Sequence, residues 1–231
     1  MFQFKQFTIQ QDRTAMKVCT DACVLGAYVD VQGARILDIG TGTGLLALMA
    51  AQRNATALID AVEIDELAAD QATENVANSR FAERVRVIQG AIQTYQPAEV
   101  YDRILANPPF YTNHLPSPDA AVNRALHTGD LPFAELVDAV VRLLKKDGQW
   151  WVLLPPPEAR QVDRLADGKG LKPFRRLLLR HHAGKPVFRV VTGYSYDVAT
   201  TLIETLDIYE QQTQTYTDAF RTLLRPFYLN L

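Results

Sequence analysis

The sequence is poor in the features that mark several special classes of protein. It has only two cysteines, Cys19 and Cys23, and no histidine or third cysteine lies near enough to complete a metal site. Its longest apolar run, 45–51, is far shorter than the roughly 18 residues that span a bilayer. Its first residues lack the basic-then-apolar order of a secretory signal. We therefore expect no metal, no membrane anchor, a cytoplasmic location and two small, buried or half-buried free thiols.

Net charge is also nearly absent. The 24 Lys and Arg residues almost balance the 26 Asp and Glu residues, which leaves a formal charge of −2. Such a surface gives no general attraction to nucleic acid, so any such binding needs a local patch. Apolar residues make up 48% and charged residues 22%, which is typical of a packed globular protein and excludes wholesale disorder. The length of 231 residues predicts a single domain.

From residue 34 onward, short apolar runs alternate with stretches of helical periodicity. Strands are predicted at 34–39, 57–64, 84–89, 101–106 and 150–155, and helices at 45–53, 65–79 and 131–148. The last helix has Lys145 and Lys146 near its end and Gly148 just past it, a typical stop signal. Beyond Pro157 we expect a short helix and an antiparallel strand pair, 171–182 with 187–196. The alternation predicts a doubly wound α/β fold with a mostly parallel sheet and helices on both faces.

A glycine-rich segment joins the first predicted strand to the first helix. It has the sequence DIGTGTG, from Asp38 to Gly44, in which Gly40 and Gly42 allow backbone angles and a close ligand approach that a Cβ would hinder. The helix that follows offers free N–H groups to a carboxylate or phosphate. Glu63, about 20 residues further on, is placed to accept hydrogen bonds from two ribose hydroxyls. The segment therefore suits a nucleoside cofactor.

Two cofactors fit this segment to different degrees. A nicotinamide dinucleotide site has the spacing G-x-G-x-x-G, whereas here Leu45 occupies the sixth position and the third glycine comes early, at Gly44. The observed spacing resembles the first motif of class I methyltransferases, which bind S-adenosylmethionine. Many of these enzymes carry an aspartate at the adenine end of the cofactor, where this chain has Ala91. The resemblance implies that backbone groups around Gly90 and Ala91, or a nearby glutamine, contact the adenine.

The segment ANPPF, from Ala106 to Phe110, follows the fourth predicted strand. It matches the (N/D)PP(Y/F) motif of methyltransferases that modify planar amines of adenine, guanine, cytosine or glutamine. The side-chain oxygen of Asn107 and the carbonyl of Pro108 can accept both hydrogens of such an amine and direct its lone pair at a methyl donor. Pro108 and Pro109 fix φ near −65° and hold that carbonyl outward, and Phe110 offers a face for an unstacked base. This chemistry needs orientation rather than a metal or a strong base.

Both motifs and both ends of the chain resemble the bacterial tRNA (adenine-N6)-methyltransferases that modify the adenosine 3′ of the anticodon in a valine tRNA. The similarity also covers DRTAMKVCTDACVLGA near the start and YTDAFRTLLRPFYL near the end. It implies a Rossmann-like, seven-stranded sheet with an antiparallel last strand. The single domain divides into a cover (1–33), a cofactor-binding core (34–160) and C-terminal strands with a tail (161–231). S-adenosylmethionine is the implied cofactor and tRNA the implied partner, and we expect a monomer.

In that family the segment before the first strand reads GTD, and here Cys19 replaces the glycine. The resemblance makes Thr20 and Asp21 candidates for the methionine end of the cofactor, and an N-cap on a covering helix is the alternative. The residues predicted to bind the cofactor are Asp38, Gly40, Gly42, Gly44, Glu63, Ala91, Thr20 and Asp21. The predicted catalytic residues are Asn107, Pro108, Pro109 and Phe110.

A basic segment, 169–189, contains no acidic residue and supplies a local positive patch. It suits phosphate contacts, and a solvated sheet edge is the alternative. The predicted RNA-binding residues are Lys169, Lys172, Arg175, Arg176 and Arg180, and the segment also carries His181, His182, Lys185 and Arg189. The loop 111–131 is a candidate lid that contains His114, Arg124 and His127.

The substrate and the class of protein have several alternatives. No separate target-recognition domain is visible, which favours the unpaired base of an anticodon loop over duplex DNA. A guanine of rRNA or a glutamine of a protein would use the same NPPF motif. An NAD-dependent oxidoreductase and a non-catalytic RNA-binding module are the alternatives from other classes. The glycine spacing argues against the former, and the presence of Asn107 with intact glycines argues against the latter.

Overall fold

The structure is a computed structural model that describes residues 1–14, 16–109, 131–211 and 213–231. Within these ranges the chain forms ten strands and six helices. The strands are β1 (Phe2–Gln3), β2 (Thr8–Ile9), β3 (Arg35–Ile39), β4 (Leu58–Glu63), β5 (Val85–Gln89), β6 (Tyr101–Ala106), β7 (Leu144–Leu154), β8 (Lys172–Arg180), β9 (Arg189–Ser195) and β10 (Leu202–Asp207). The helices are α1 (Thr20–Tyr28), α2 (Leu45–Arg53), α3 (Glu66–Ala77), α4 (Phe133–Leu143), α5 (Pro156–Asp167) and α6 (Asp218–Leu224). None of these helices has the length and apolar character that crossing a membrane requires.

The main sheet has the strand order β10-β8-β9-β7-β6-β3-β4-β5. Strand β9 is antiparallel to both of its neighbours, and the other neighbouring pairs of this sheet are parallel. The sheet grows outward in both directions from β3, which has β4 on one side and β6 on the other. A doubly wound sheet of this kind binds ligands at the carboxyl ends of the strands flanking that switch point. The prediction of an α/β, doubly wound, mostly parallel sheet is confirmed.

The predicted number of seven strands is wrong by one. Strand β10 pairs in parallel along β8 and forms an eighth strand at the edge of the sheet. Its burial does not alternate, since Leu202 and Ile203 are both exposed and Leu206 is buried, so it lacks the period-two pattern of a half-buried strand. The solvated-edge alternative for residues 169–189 is also wrong, because β8 lies between β9 and β10.

The predicted end of the helix before β7 is also wrong. Helix α4 ends at Leu143, and the supposed stop signal of Lys145, Lys146 and Gly148 lies inside β7. The Nζ of Lys145 lies 2.7 Å from Oδ1 of Asp102 in the neighbouring strand β6. Tertiary pairing with β6 therefore overrides a local signal that is typical of a helix end.

The two faces of the sheet carry separate apolar cores. Helices α1, α2, α3 and α6 cover one face, and α4 and α5 cover the other. Trp150 and Trp151, which are adjacent in β7, point to opposite faces and are both fully buried. Such alternation is the rule along a strand, and each large ring packs into one of the two cores.

The two cysteines are free thiols, as predicted. Cys23 is buried and Cys19 is half-buried. Burial raises the pKa of both thiols to about 12, so neither is a thiolate at neutral pH. No group of three metal-ligating side chains occurs in the part of the chain that the structure describes.

Candidate active site

The register of the sheet brings the two sequence motifs together at one edge. Ile39 ends β3 and pairs directly with Ala106, which ends β6, so Gly40 and Asn107 leave the sheet side by side. Glu63 ends β4, the strand on the other side of β3. The glycine-rich loop therefore lies between the predicted ribose ligand and the predicted amine ligand, at the switch point of the fold.

The glycine-rich loop has the open backbone that the sequence predicts. Gly40 and Gly42 have φ values of +67° and +55°, which side chains with a Cβ rarely adopt. A Cβ added to either glycine would meet no protein atom within 4 Å. Gly44 differs, because its φ is +84° and an added Cβ would lie 3.6 Å from the Cβ of Ala72 in α3. Gly40 and Gly42 thus border open space, whereas Gly44 also serves the packing of the loop on α3.

Asp38 lies beneath the loop and fixes its shape. Its carboxylate accepts hydrogen bonds from Oγ1 of Thr41 at 2.6 Å and from the N–H of Ala47 at 3.1 Å. Complete burial raises the pKa of Asp38 to about 7, and the carboxylate of Glu63 adds to this rise, while the Thr41 and Ala47 hydrogen bonds oppose it. Asp38 is therefore a positioning residue for the loop in this structure.

Glu63 is held across the loop in a fixed orientation. Its Oε2 accepts a hydrogen bond from the N–H of Gly42 at 2.8 Å, and its Oε1 accepts one from the N–H of Asp65 at 3.0 Å. Each carboxylate oxygen can accept more than one hydrogen bond, so both oxygens keep acceptor capacity for hydroxyl groups. The side chain is thus pre-arranged for a diol such as a ribose.

A cavity of about 390 Å³ opens beside Val62, the residue before Glu63. Its walls are Val62, Ile88, Gln89, Gly90, Ala91, Thr94, Tyr95 and Gln96. The carbonyl of Ala91 already accepts the N–H groups of Thr94 and Tyr95, at 3.2 and 3.1 Å. An adenine amine in this cavity therefore finds fewer free backbone acceptors than the sequence suggests. The side-chain amides of Gln89 and Gln96 also line the cavity and contain acceptor oxygens.

A cluster of polar side chains around Asp60, not identified from the sequence, positions Tyr95 in one wall of this cavity. Asp60, in the middle of β4, accepts hydrogen bonds from the hydroxyls of Tyr95 at 3.1 Å and Tyr101 at 2.5 Å. It also forms ion pairs with Arg35 and Arg86, both at 3.0 Å. The cluster fixes the ring of Tyr95 against the cavity. An aspartate inside a predicted buried strand was the available signal, because a buried carboxylate needs partners.

Asn75 of α3 is a second residue that the sequence did not single out. Its side chain is buried, and it donates to the carbonyls of Gln10 and Thr43, both at 2.9 Å. It also accepts the N–H of Gln10 at 2.8 Å. One amide thus ties the N-terminal segment to the glycine-rich loop. A buried asparagine on a helix face is not distinctive in a single sequence.

The side chain of Asn107 contains a buried acceptor atom that receives no hydrogen bond from the described residues. Its Oδ1 has no hydrogen-bond partner among the described residues and is shielded from solvent. Leaving such a group unpaired costs about 1–3 kcal/mol, which a donor from a ligand would recover. Pro108 is buried and Pro109 is half-buried. Phe110 and the candidate lid residues His114, Arg124 and His127 lie outside the described residues.

Thr20 and Asp21 begin α1 near the same edge of the sheet. The N-cap of α1 is Cys19, which makes no side-chain cap, so the alternative role of an N-cap is wrong for both residues. Instead, Oδ2 of Asp21 accepts a hydrogen bond from Nε of Arg189 at 2.9 Å. Arg189 is the first residue of the antiparallel strand β9, so this ion pair anchors α1 at the catalytic edge.

Most of the predicted RNA-binding residues have acidic partners. The ion pairs are Lys169 with Asp138 at 2.6 Å, Arg175 with Glu204 at 2.8 Å, Arg176 with Asp163 at 2.7 Å and Arg180 with Asp207 at 2.7 Å. These partners lie outside the basic segment in sequence and reduce its net positive charge. Lys172 is exposed at the start of β8.

Comparison with known proteins shows which family the chain belongs to. The sequence profile of the methyltransferase small domain matches residues 22–157, which is more than half of the chain. The chain belongs to this family. A protein of Dyadobacter fermentans named tRNA1(Val) (adenine(37)-N6)-methyltransferase is 48% identical over 232 residues, which cover 99% of this chain and 97% of the relative. A protein of the same name from Pedobacter heparinus is 41% identical and covers the same shares.

These full-length relatives place this methyltransferase with the tRNA1(Val) (adenine(37)-N6)-methyltransferases, and the family resemblance seen in the sequence is confirmed. Among solved structures, a predicted O-methyltransferase of Agrobacterium tumefaciens superimposes with a TM-score of 0.70. The two sequences are 18% identical, and the match covers 89% of this chain and 96% of that one. At this low identity the likeness supports the Rossmann-like methyltransferase fold alone.

Proposed function

We propose that this methyltransferase transfers the methyl group of S-adenosylmethionine to N6 of an adenosine in the anticodon loop of a tRNA, the valine tRNA by analogy with its relatives. The observation that carries the proposal is the buried, unpaired Oδ1 of Asn107 next to the glycine-rich loop. The names of the relatives support tRNA as the substrate and adenine N6 as the target.

The residues at this edge fit S-adenosylmethionine. The open backbone at Gly40 and Gly42 would accommodate the methionine part, and the fixed carboxylate of Glu63 would accept hydrogen bonds from the two ribose hydroxyls. The cavity walled by Gly90 and Tyr95 would receive the adenine. When bound, the cofactor supplies a methyl group attached to a positively charged sulfur.

Asn107 and Pro108 then prepare the nucleophile. The exocyclic amine of adenine is weakly nucleophilic, because its lone pair is delocalised into the ring. Acceptance of its two hydrogens by Oδ1 of Asn107 and the carbonyl of Pro108 turns the lone pair out of the ring plane and toward the sulfur-bound methyl group. This fixed orientation is the main contribution of the protein. The alkylated nitrogen is acidic and would release its proton to solvent, so no strong base is needed.

The choice of an anticodon-loop adenosine rests on the relatives, whose names give adenine 37 of a tRNA as the target. An unpaired base enters a catalytic pocket at a lower cost than a base paired in a duplex, which takes a few kcal/mol to extrude. The same amine geometry would also suit guanine, whose exocyclic amine is similar. Chemical analysis of the product therefore decides between them.

The proposal is tested by incubating bulk tRNA with S-adenosylmethionine labelled in its methyl group and digesting the RNA to nucleosides. Label in N6-methyladenosine is the expected result. Label in methylguanosine would show that the target base is wrong. In a parallel reaction that contains bulk protein as well as tRNA, label in the protein alone would favour a glutamine side chain as the target. In a parallel thermal-shift titration, S-adenosylmethionine should raise the melting temperature, and stabilisation by NAD alone would contradict the proposal.

A further inference from the structure

The basic segment 169–189 is not one patch, because β8 carries it from one end of the sheet to the other. β8 begins at Lys172 and ends at Arg180, and nine residues at a rise of about 3.3 Å separate these ends by roughly 26 Å. β8 and β7 are both antiparallel to β9, and β7 is parallel to β6. β8 therefore runs in the same direction as β6, and its end at Arg180 lies at the edge where Asn107 leaves β6.

Register pairs across the sheet give the level of each basic residue relative to the active site. The pairs are Ala106 with Val152, Val152 with Thr192, and Thr192 with Arg176. Arg180 thus lies three residues, or about 10 Å, beyond the level of Asn107. Lys172 lies on the other side of that level, roughly 13 to 16 Å away along the strand. Sideways, three strand spacings of about 4.8 Å separate β8 from β6.

The two arginines in the middle of β8 are occupied with internal contacts. Arg176 donates to Asp163 of α5 at 2.7 Å. Arg175 donates to Glu204 of β10 at 2.8 Å, and its guanidinium carbon lies 4.9 Å from the ring centre of Tyr28 in α1. These side chains fasten the sheet to the helices on its faces and to the edge strand, so they offer little net charge to a phosphate.

The turn between β8 and β9, residues 181–188, is different in both position and chemistry. Gly184 has a φ of +86°, and the N–H of Lys185 donates to the carbonyl of His182 at 3.1 Å, which gives the turn a defined shape. Lys185 is exposed and forms no ion pair among the described residues. The ring of His181 is stacked on that of Phe188, with centroids 4.2 Å apart and planes 7° apart.

A backbone hydrogen bond from the segment after β10 also fixes the position of His181. The N–H of Tyr209 donates to its carbonyl at 2.8 Å, so the chain after β10 supports the turn. His181 itself is exposed, which leaves part of the stacked ring pair open to solvent. The turn thus combines a free cation with a rigid flat ring, the two elements with which proteins bind single-stranded RNA.

We propose that the RNA strand next to the target adenosine crosses the turn 181–188, with a phosphate on Lys185 and a base stacked on His181, and that Lys169 and Lys172 make no contact with it. This inference rests on the proposed function and specifies the substrate surface of the same site. The cation and the ring lie at the catalytic edge, at a distance that a few unpaired nucleotides span. The lysines at the far end of β8 lie beyond the active site in the wrong direction.

Two exposed lysines provide a matched test, since Lys172 begins β8 and Lys185 lies in the turn that follows its other end. The affinity for tRNA is measured at several salt concentrations for the wild type, Lys185→Ala and Lys172→Ala. Loss of one phosphate contact with an unpaired strand should lower the slope of log affinity against log salt by about 0.7 for Lys185→Ala and leave it unchanged for Lys172→Ala. When the salt concentration is raised from about 0.05 to 0.2 M, the affinity of Lys185→Ala for tRNA should therefore fall roughly 2.6-fold less than that of the wild type.

A second pair of variants tests the stack. His181→Ala should bind tRNA at least about fivefold more weakly, whereas His181→Phe should retain most of the affinity because a flat ring remains. The affinity for S-adenosylmethionine should stay unchanged in both variants. Equal losses in His181→Ala and His181→Phe would overturn the stacking role.

The outcomes separate this inference from the proposed function. If the wild type methylates tRNA but Lys172→Ala changes the salt slope as much as Lys185→Ala, the assigned RNA surface is wrong and the function stands. If the wild type neither binds nor methylates tRNA, the proposed function is wrong and the inference fails with it.

Discussion

Asp38 makes the stability of this methyltransferase depend on pH in a specific direction. Burial raises the pKa of its carboxyl group from the ordinary value of 3.8 to about 7 in the folded protein. The folded state therefore holds this proton more tightly than the unfolded chain does. Protonation of Asp38 stabilises the fold fully below about pH 4, and this contribution is lost as the pH rises through about 7.

The size of the effect follows from the shift. A difference of about 3 pKa units corresponds to about 4 kcal/mol over the whole titration. Between pH 5 and pH 8, where the folded carboxyl loses its proton and the unfolded carboxyl is already ionised, the loss is about 2 to 3 kcal/mol. Asn at this position cannot titrate, and its side-chain oxygen can still accept from Thr41 and Ala47.

The assay is urea unfolding of the wild type and Asp38→Asn at pH 5 and pH 8. Other carboxyl groups change stability in both proteins equally, so the difference between the two proteins isolates Asp38. We expect the wild type to lose about 2 to 3 kcal/mol relative to Asp38→Asn over this range. Parallel stability curves would refute the reasoning, because they would show that Asp38 is ionised in the folded protein throughout.

Three further variants test the cofactor site. Glu63→Gln has only one acceptor oxygen to share between the N–H groups of Gly42 and Asp65. The affinity for the cofactor should therefore fall at least about tenfold, while kcat at saturating cofactor stays nearly constant. A fall in kcat with unchanged cofactor affinity would contradict this role. Gly42→Ala should lower the free energy of unfolding by about 1–2 kcal/mol and cofactor affinity by more than about tenfold, and unchanged affinity would show that the open space is not the binding cradle. Asn75→Ala should lower the free energy of unfolding, measured in urea, by about 1–3 kcal/mol and should raise KM for the cofactor. An unchanged KM would mean that the hydrogen bond from Asn75 to Thr43 does not position the loop.

The core of the fold was predictable because its signals are local. The strands that became β3 to β6 are short apolar runs, and helices α2 and α3 have clear periodicity or caps, such as the side chain of Asp65 at the start of α3. The meeting of the glycine-rich loop and Asn107 followed from the rules of parallel sheets alone. No long-range contact had to be known for either conclusion.

The features that the sequence analysis predicted wrongly or did not identify have the opposite cause. Each of these features depends on contacts between distant parts of the chain. The basic segment is visible in the sequence, but the partners Glu204 and Asp207 of its arginines lie in a strand that the sequence pattern does not mark. The end of α4 likewise depends on pairing with β6. Asp60 is recognisable in the sequence as a charge in a buried strand, but its hydrogen bond to Tyr95 at the cavity joins residues that are far apart in the chain.

The central claim is that Oδ1 of Asn107 holds one hydrogen of the target amine, and the rate of methyl transfer under single-turnover conditions tests it most directly. Asn107→Ala should lower this rate by about 10²–10³ with saturating tRNA, while the Kd for S-adenosylmethionine changes less than about threefold. Asn107→Asp keeps an acceptor oxygen and should exceed Asn107→Ala by at least about tenfold. Equal rates in the wild type and Asn107→Ala would contradict the account.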